Sequence, residues 1–144
     1  MWRNGIMVSG DDHAPHRRRT VRSRRGYKLG LVTSKLTASA LPSLDHYGLT
    51  GLFDVIVGLE NVTNHKPHPE PVLKALAAFR YGQAVMVGDT EGDLVAGRDA
   101  GILTCAVDWS HRRELLRALN PDFWIDDYAE LIPAIERYDS KEEL

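Results

Sequence analysis

Two aspartates four residues apart, Asp89 and Asp93, follow directly on the apolar run Val85-Met86-Val87-Gly88. Such a run reads as a buried strand. A carboxylate at the carboxyl end of a buried parallel strand stands where open α/β sheets bind their ligands. Gly88 lets the backbone come close, Asp89 leaves the strand end, and Asp93 falls near the start of the next helix. Both carboxylates can therefore face one cavity. Held close together they repel unless a cation or hydrogen bonds intervene. Hard oxygen donors suit Mg²⁺, which takes one or two carboxylates and completes its shell with waters and phosphate oxygens. The alternative is that Asp93 caps its helix and Asp89 faces water.

Two further positions fit a phosphate site. Thr33 ends the apolar run Leu29-Gly30-Leu31-Val32 just before a helix. A hydroxyl there can bond a phosphoryl oxygen while the helix amides add donors and a favourable dipole. Thr33 or the adjacent Ser34 can equally serve as a simple helix cap. Lys66 opens Lys66-Pro67-His68-Pro69-Glu70-Pro71, a loop stiffened by three prolines. A fixed cation beside a phosphoryl group neutralises charge during transfer, whereas a loop lysine with no such task is simply solvated.

The elements that must position these residues alternate between strand and helix. Strands are expected at Tyr27–Val32, Leu52–Val57, Ala84–Val87, Leu103–Val107 and, as a brief edge strand, Phe123–Ile125. Helices are expected over 36–47, closed by Gly48 and disturbed by Pro42, and from Pro71 through the apolar positions Val72, Ala75, Leu76 and Phe79. Others are expected over 93–100 with Gly101 behind it, over 111–119 capped by Ser110, and over 128–137, where Asp127 and Glu130 form a capping-box pattern. This alternation means βαβ units: an α/β, Rossmann-like parallel sheet with helices on both faces.

The chain has 144 residues, 43% apolar and 26% charged, which suits one globular domain with a real core. No apolar run approaches the roughly 20 residues of a membrane span, and no signal peptide is visible. The single cysteine, Cys105, lies in an apolar run and fits a reducing, cytoplasmic setting. Charge is uneven. Residues 1–25 carry seven Arg against Asp11 and Asp12, a net +5, and the remainder carries −7. No aromatic side chain interleaves those arginines, so the segment reads as a solvated arm rather than a nucleic-acid surface. Residues 1–26 thus form an atypical Arg-rich segment, 27–137 the core domain and 138–144 a charged tail.

Leu-Val-Thr33-Ser-Lys, Lys66-Pro-His-Pro-Glu-Pro and Val-Met-Val-Gly-Asp89-Thr-Glu-Gly-Asp93 resemble, in this order, the second, third and fourth motifs of the haloacid dehalogenase superfamily. The wording is most similar to its phosphoglycolate phosphatase and pyrophosphatase PpaX-like branch, as is the tail Asn-Pro-Asp-Phe-Trp-Ile-Asp. The resemblance runs from about Tyr27 to Pro133. It implies a hydrolase that cleaves a small phosphate ester or pyrophosphate through an aspartyl-phosphate, with Mg²⁺ as cofactor. It also implies roles. Thr33 would hold a phosphoryl oxygen, and Lys66 would bridge nucleophile and phosphate, making these two the catalytic candidates. Ser34 joins them in binding substrate. Asp89 would bind the metal, with Asp93 as second ligand or support.

The same resemblance implies two parts that this chain lacks. The first motif, an apolar strand followed by Asp-x-Asp, supplies the nucleophile and the general acid. Its only imitation is Asp11-Asp12 after Ile6-Met7-Val8. The helical cap between first and second motifs is missing as well. Two outcomes are open for the sheet: residues 5–8 fill the central slot as a surrogate strand, or the fold is compromised. A truncated or frame-shifted gene product is the expected explanation, with either an inactive or nearly inactive phosphatase domain or a non-catalytic Mg²⁺- and phosphate-binding pseudoenzyme or interaction module as the result.

Overall fold

The computed structural model describes residues 5–9, 27–46, 51, 53–79 and 84–142. Asp11, Asp12, the arginines of 17–25 and Gly48 lie outside the described residues. The described elements are β1 (Gly5–Ser9), β2 (Lys28–Val32), α1 (Thr37–His46), β3 (Val55–Val57), α2 (Glu70–Ala77), β4 (Ala84–Gly88), α3 (Glu91–Asp99), β5 (Leu103–Val107), α4 (Arg113–Arg117), β6 (Phe123–Ile125) and α5 (Leu131–Glu142). Short 3-10 turns lie at Leu59–Asn61 and Tyr128–Glu130.

The six strands form one sheet in the order β3-β2-β1-β4-β5-β6, and every pairing is parallel. The expected α/β class holds, and the surrogate-strand alternative is the one realised. β1 lies in the middle, with Ser9 opposite Val32 on one side and Val8 opposite Val87 on the other. The sheet therefore begins well before Tyr27.

Alternation along the strands splits the core into two layers. Leu29, Val85, Val87, Cys105, Val107 and Ile125 pack with Tyr128, Leu131 and Ile135 towards α5. Val32, Val57 and Met86 face the opposite way, against Val72, Ala75 and Phe79 from the α2 region and Ala96 of α3. Gly97 lets α3 lie close on β4: a Cβ there would stand 2.6 Å from the Met86 Cβ.

Several boundaries differ from expectation, each for a local reason. β3 starts at Val55 rather than Leu52, because Asp54 grips Leu29 twice. Its amide donates to the Leu29 carbonyl at 2.7 Å, and its Oδ2 accepts from the Leu29 amide at 2.8 Å. Asp122 does the same to Thr104 at the other edge of the sheet, just before β6. α3 starts at Glu91, two residues early, since Thr90 is its N-cap. α4 is shorter than 111–119. Leu119 and Asn120 bond back only three residues, and Asn120 adopts a left-handed conformation with φ 51°.

Asp127 and Glu130 do not form the reciprocal capping box. Asp127 accepts from the Ala129 amide and Glu130 from the Asp126 amide, so a 3-10 turn forms first and α5 follows. α5 then runs on to Glu142, beyond Arg137. Pro42 sits inside α1 without ending it. Among the described residues, no helix is long and apolar enough to cross a membrane.

Candidate functional site

Because all six strands are parallel, their carboxyl ends open on the same edge. Thr33 follows β2 and Asp89 follows β4, and β1 separates them. Two inter-strand spacings put those ends about 10 Å apart.

On the β4 side the chain builds a locked corner. Thr90 Oγ1 accepts from the Asp93 amide, and Asp93 Oδ2 accepts from the amides of Thr90 (3.2 Å) and Asp89 (3.1 Å). The other carboxylate oxygen, Oδ1, receives Lys66 Nζ at 2.7 Å, in a pair whose side chains are 0% and 5% exposed. Gly88 is required here. A Cβ at that position would lie 2.2 Å from the Asp93 Cβ. Lys66 arrives from the proline loop, in which the Lys66–Pro67 bond is cis. The structure brings Lys66, Asp89 and Asp93 together, with Asp93 in the helix-capping role given as its alternative. Its two carboxylate oxygens are engaged by Lys66 and by two backbone amides.

Thr33 is buried, and its hydroxyl accepts from the Lys35 amide at 3.1 Å. That is a local turn bond of the kind a capping residue makes. Its amide donates to the Val57 carbonyl, and Ser34 beside it is exposed. Thr33, Ser34, Lys66 and Asp89 are all engaged with neighbouring groups.

Residues that sequence patterns did not single out hold these groups in place. Ser110, expected only as a helix cap, is buried. Its Oγ donates to the Asp89 carbonyl at 2.5 Å and accepts from the Arg112 amide at 3.0 Å. The Arg112 guanidinium grips both carboxylate oxygens of Glu91, in the first turn of α3. Arg112 holds the Glu91 carboxyl down at about 2. Glu70 turns back from the start of α2 to accept from the amides of Thr63 and Asn64, just ahead of Lys66, and those amides lower its pKa. None of these pairs has a local periodicity. Only the serine's place after a strand end hinted at any of them.

The donor set fits Mg²⁺. Asp89 offers a carboxylate on the strand end, and Asp93 is already engaged. Among the described residues no three acidic, histidine or cysteine side chains gather as a closed cage. A strand-end carboxylate is the kind of hard oxygen donor that Mg²⁺ takes.

Comparison with known proteins decides the family. The model of the haloacid dehalogenase-like hydrolases matches residues 16–107. The chain belongs to that family. A pyrophosphatase PpaX from Bacillus cereus is 42% identical over 115 residues, covering 78% of this chain and 53% of that protein. Among solved structures, a haloacid dehalogenase phosphatase from Thermococcus onnurineus is 31% identical with a TM-score of 0.66, covering 76% of this chain and 51% of that one. A predicted phosphoglycolate phosphatase from Haemophilus somnus is 27% identical with a TM-score of 0.66, over 76% and 50%.

This haloacid dehalogenase-like chain spans about half the length of the curated relatives it matches. The family match begins at residue 16. It thus takes in part of the Arg-rich segment that the motifs alone set apart, and leaves β1 outside.

Proposed function

We propose that the chain is a haloacid dehalogenase-like phosphatase domain that binds Mg²⁺ and a small phosphorylated substrate at the carboxyl edge of its sheet. Pyrophosphate or a small phosphate ester such as phosphoglycolate is the substrate class, in keeping with what the relatives are named for. The observation that carries the reading is the buried Lys66–Asp93 pair beside Asp89. An ammonium desolvated this far needs an anionic partner. Asp93 holds its position beside Asp89 at the carboxyl edge of the sheet.

In this reading Thr33 and Ser34 donate hydroxyl hydrogen bonds to phosphoryl oxygens, and Lys66 neutralises charge on the same group. Asp89 holds the metal. Asp93 supports the site by fixing both Lys66 and the Asp89 backbone. Bound Mg²⁺ would supply Lewis-acid polarisation of the phosphoryl oxygens. The setting we assign is cytoplasmic, consistent with one buried cysteine. Burial, with Asp122 and Glu130 adding to it, pushes that thiol's pKa up.

A second reading has its own observation. The described β1 ends in Ser9, not in a carboxylate. Asp11 and Asp12 are the nearest acidic residues in sequence. On this reading the domain binds Mg²⁺ and phosphate without turnover.

Magnesium-dependent hydrolysis of p-nitrophenyl phosphate and pyrophosphate separates the two. Turnover abolished by Asp89→Ala supports the phosphatase. Calorimetric heat with magnesium plus orthophosphate, without turnover, supports the binding module. Silence in both experiments ends the phosphate reading.

A further inference from the structure

Thr33 and Ser34 lie on a short segment between β2 and α1. Ser34, Lys35 and Leu36 are all exposed. A hydroxyl can select one phosphoryl geometry only if its backbone is held, because small misplacements in a site cost large factors in rate or affinity. The holding comes from the other side of β2, from the turn that follows β3.

Four contacts join the two segments. The Thr33 amide donates to the Val57 carbonyl at 2.9 Å, and the Leu59 amide donates to the Lys35 carbonyl at 2.9 Å. Glu60 Oε1 accepts from the Thr37 amide at 3.1 Å, and Glu60 Oε2 accepts from the Thr37 hydroxyl at 2.5 Å. Glu60 thus acts as an N-cap for α1 from 23 residues away.

The fit is tight. A Cβ on Gly58 would stand 2.7 Å from Thr37 Cγ2 and 3.0 Å from both the Glu60 Oε1 and the Lys35 carbonyl. Gly58 is itself tied down, since its amide donates to Asn61 Oδ1 at 2.7 Å.

We infer that Glu60 is a positioning residue for the phosphate site, clamping the Thr33–Ser34–Lys35 segment through Thr37. The inference rests on the phosphate reading of that segment. It adds to it a residue outside the three motifs and on the opposite side of β2 from the metal corner. Its signature is selectivity. Loss of the clamp loosens the phosphate corner and leaves the Asp89 corner, built by Lys66, Asp93 and Ser110, intact.

The test uses the full chain and the variants Glu60→Ala, Glu60→Gln and Thr37→Val. Orthophosphate affinity at saturating magnesium is read by calorimetry, and metal binding alone by the EPR signal of free Mn²⁺. Expected is a loss of about tenfold in orthophosphate affinity for Glu60→Ala, with Mn²⁺ affinity unchanged. Glu60→Gln keeps an acceptor for the Thr37 amide and should recover much of the loss. Thr37→Val keeps the amide and loses only the hydroxyl bond, so it should show a smaller loss in the same direction; it also serves as the folded variant if Glu60→Ala does not fold.

Wild-type orthophosphate affinity in Thr37→Val and in whichever Glu60 variants fold would overturn the clamp while leaving the phosphate reading standing. Parallel losses of orthophosphate and Mn²⁺ affinity would overturn it too, since they mark general destabilisation. No orthophosphate binding by the unaltered chain would remove the phosphate reading, and the clamp with it.

Discussion

The strands on either side of β1 end in two differently built corners. The β4 corner is organised from within. Asp93 is fully buried, Lys66 nearly so, and the pair is bolted to backbone amides at the start of α3. The β2 corner is organised from without. Its hydroxyl Thr33 is buried, but the segment behind it is exposed and is fastened by the exposed carboxylate of Glu60. An interior ion pair is rigid and intolerant of change. A solvent-exposed clamp contributes little stability and can be altered without unfolding the domain. On the proposed reading the labour is divided, with charge fixed from within at β4 and the phosphate-contacting segment clamped from outside at β2.

The most severe way to break the comparison is to remove what separates the corners. β2 and β4 do not pair with each other; both pair with β1. Met7→Pro places a residue without an amide in a strand hydrogen-bonded on both sides. Loss of the cooperative unfolding transition is expected by circular dichroism.

Asp93→Asn comes next. It leaves the Lys66 ammonium buried without its counter-charge, and breaking such a pair costs about 3–5 kcal/mol. Chemical denaturation should show that loss. A change under about 1 kcal/mol would mean that the pair is far better hydrated than its geometry shows.

Gly88→Ala drives a methyl into Asp93, and overpacking of this kind costs about 1–3 kcal/mol. Magnesium and phosphate binding should fall with stability in that variant. Thr33→Val, on the other corner, should behave differently. It sacrifices one hydrogen bond to the Lys35 amide, about 1 kcal/mol, while orthophosphate affinity falls well beyond what that small loss explains. Equal behaviour of the two variants would erase the proposed division.

The smallest expected effect is a pH dependence. Glu91 has its pKa lowered from an ordinary 4.5 to about 2, through its hydrogen bond with Arg112. A depressed carboxyl contributes stability that is fully present above its unfolded value and disappears as pH falls through its folded one. Arg112→Ala should therefore flatten the decline in stability between about pH 4.5 and 2. The pair is solvent-exposed, so the change should be modest and should shrink in salt.

Much of the sheet was legible because strand signals are local. Leu103–Val107 and Phe123–Ile125 match the observed strands residue for residue, and Thr33, Lys66 and Asp89 emerge at strand or loop positions that motif order makes recognisable. What stayed hidden is non-local. Nothing near Glu60 in sequence announces that it will cap a helix beginning at Thr37. Asp54 looks like a polar interruption of an apolar strand until Leu29 is placed beside it. Asp93 reads equally well as ligand or cap, and only the position of Lys66, 27 residues away, shows how its oxygens are engaged. β1 was recognisable as a short apolar run. Its central place follows from the needs of β2 and β4 rather than from its own composition.

The close seating of α3 on β4 carries one more consequence. Gly97 stands four residues after Asp93, one turn further along the same rod, with Met86 immediately beneath it. A methyl added there has no free volume to enter, so the rod must pivot or lift. Its leading end carries the aspartate that fixes Lys66, and a small tilt at Gly97 would arrive there as a sideways displacement of the ammonium. A residue with no side chain thereby bears, mechanically, on where the buried Lys66 ammonium stands.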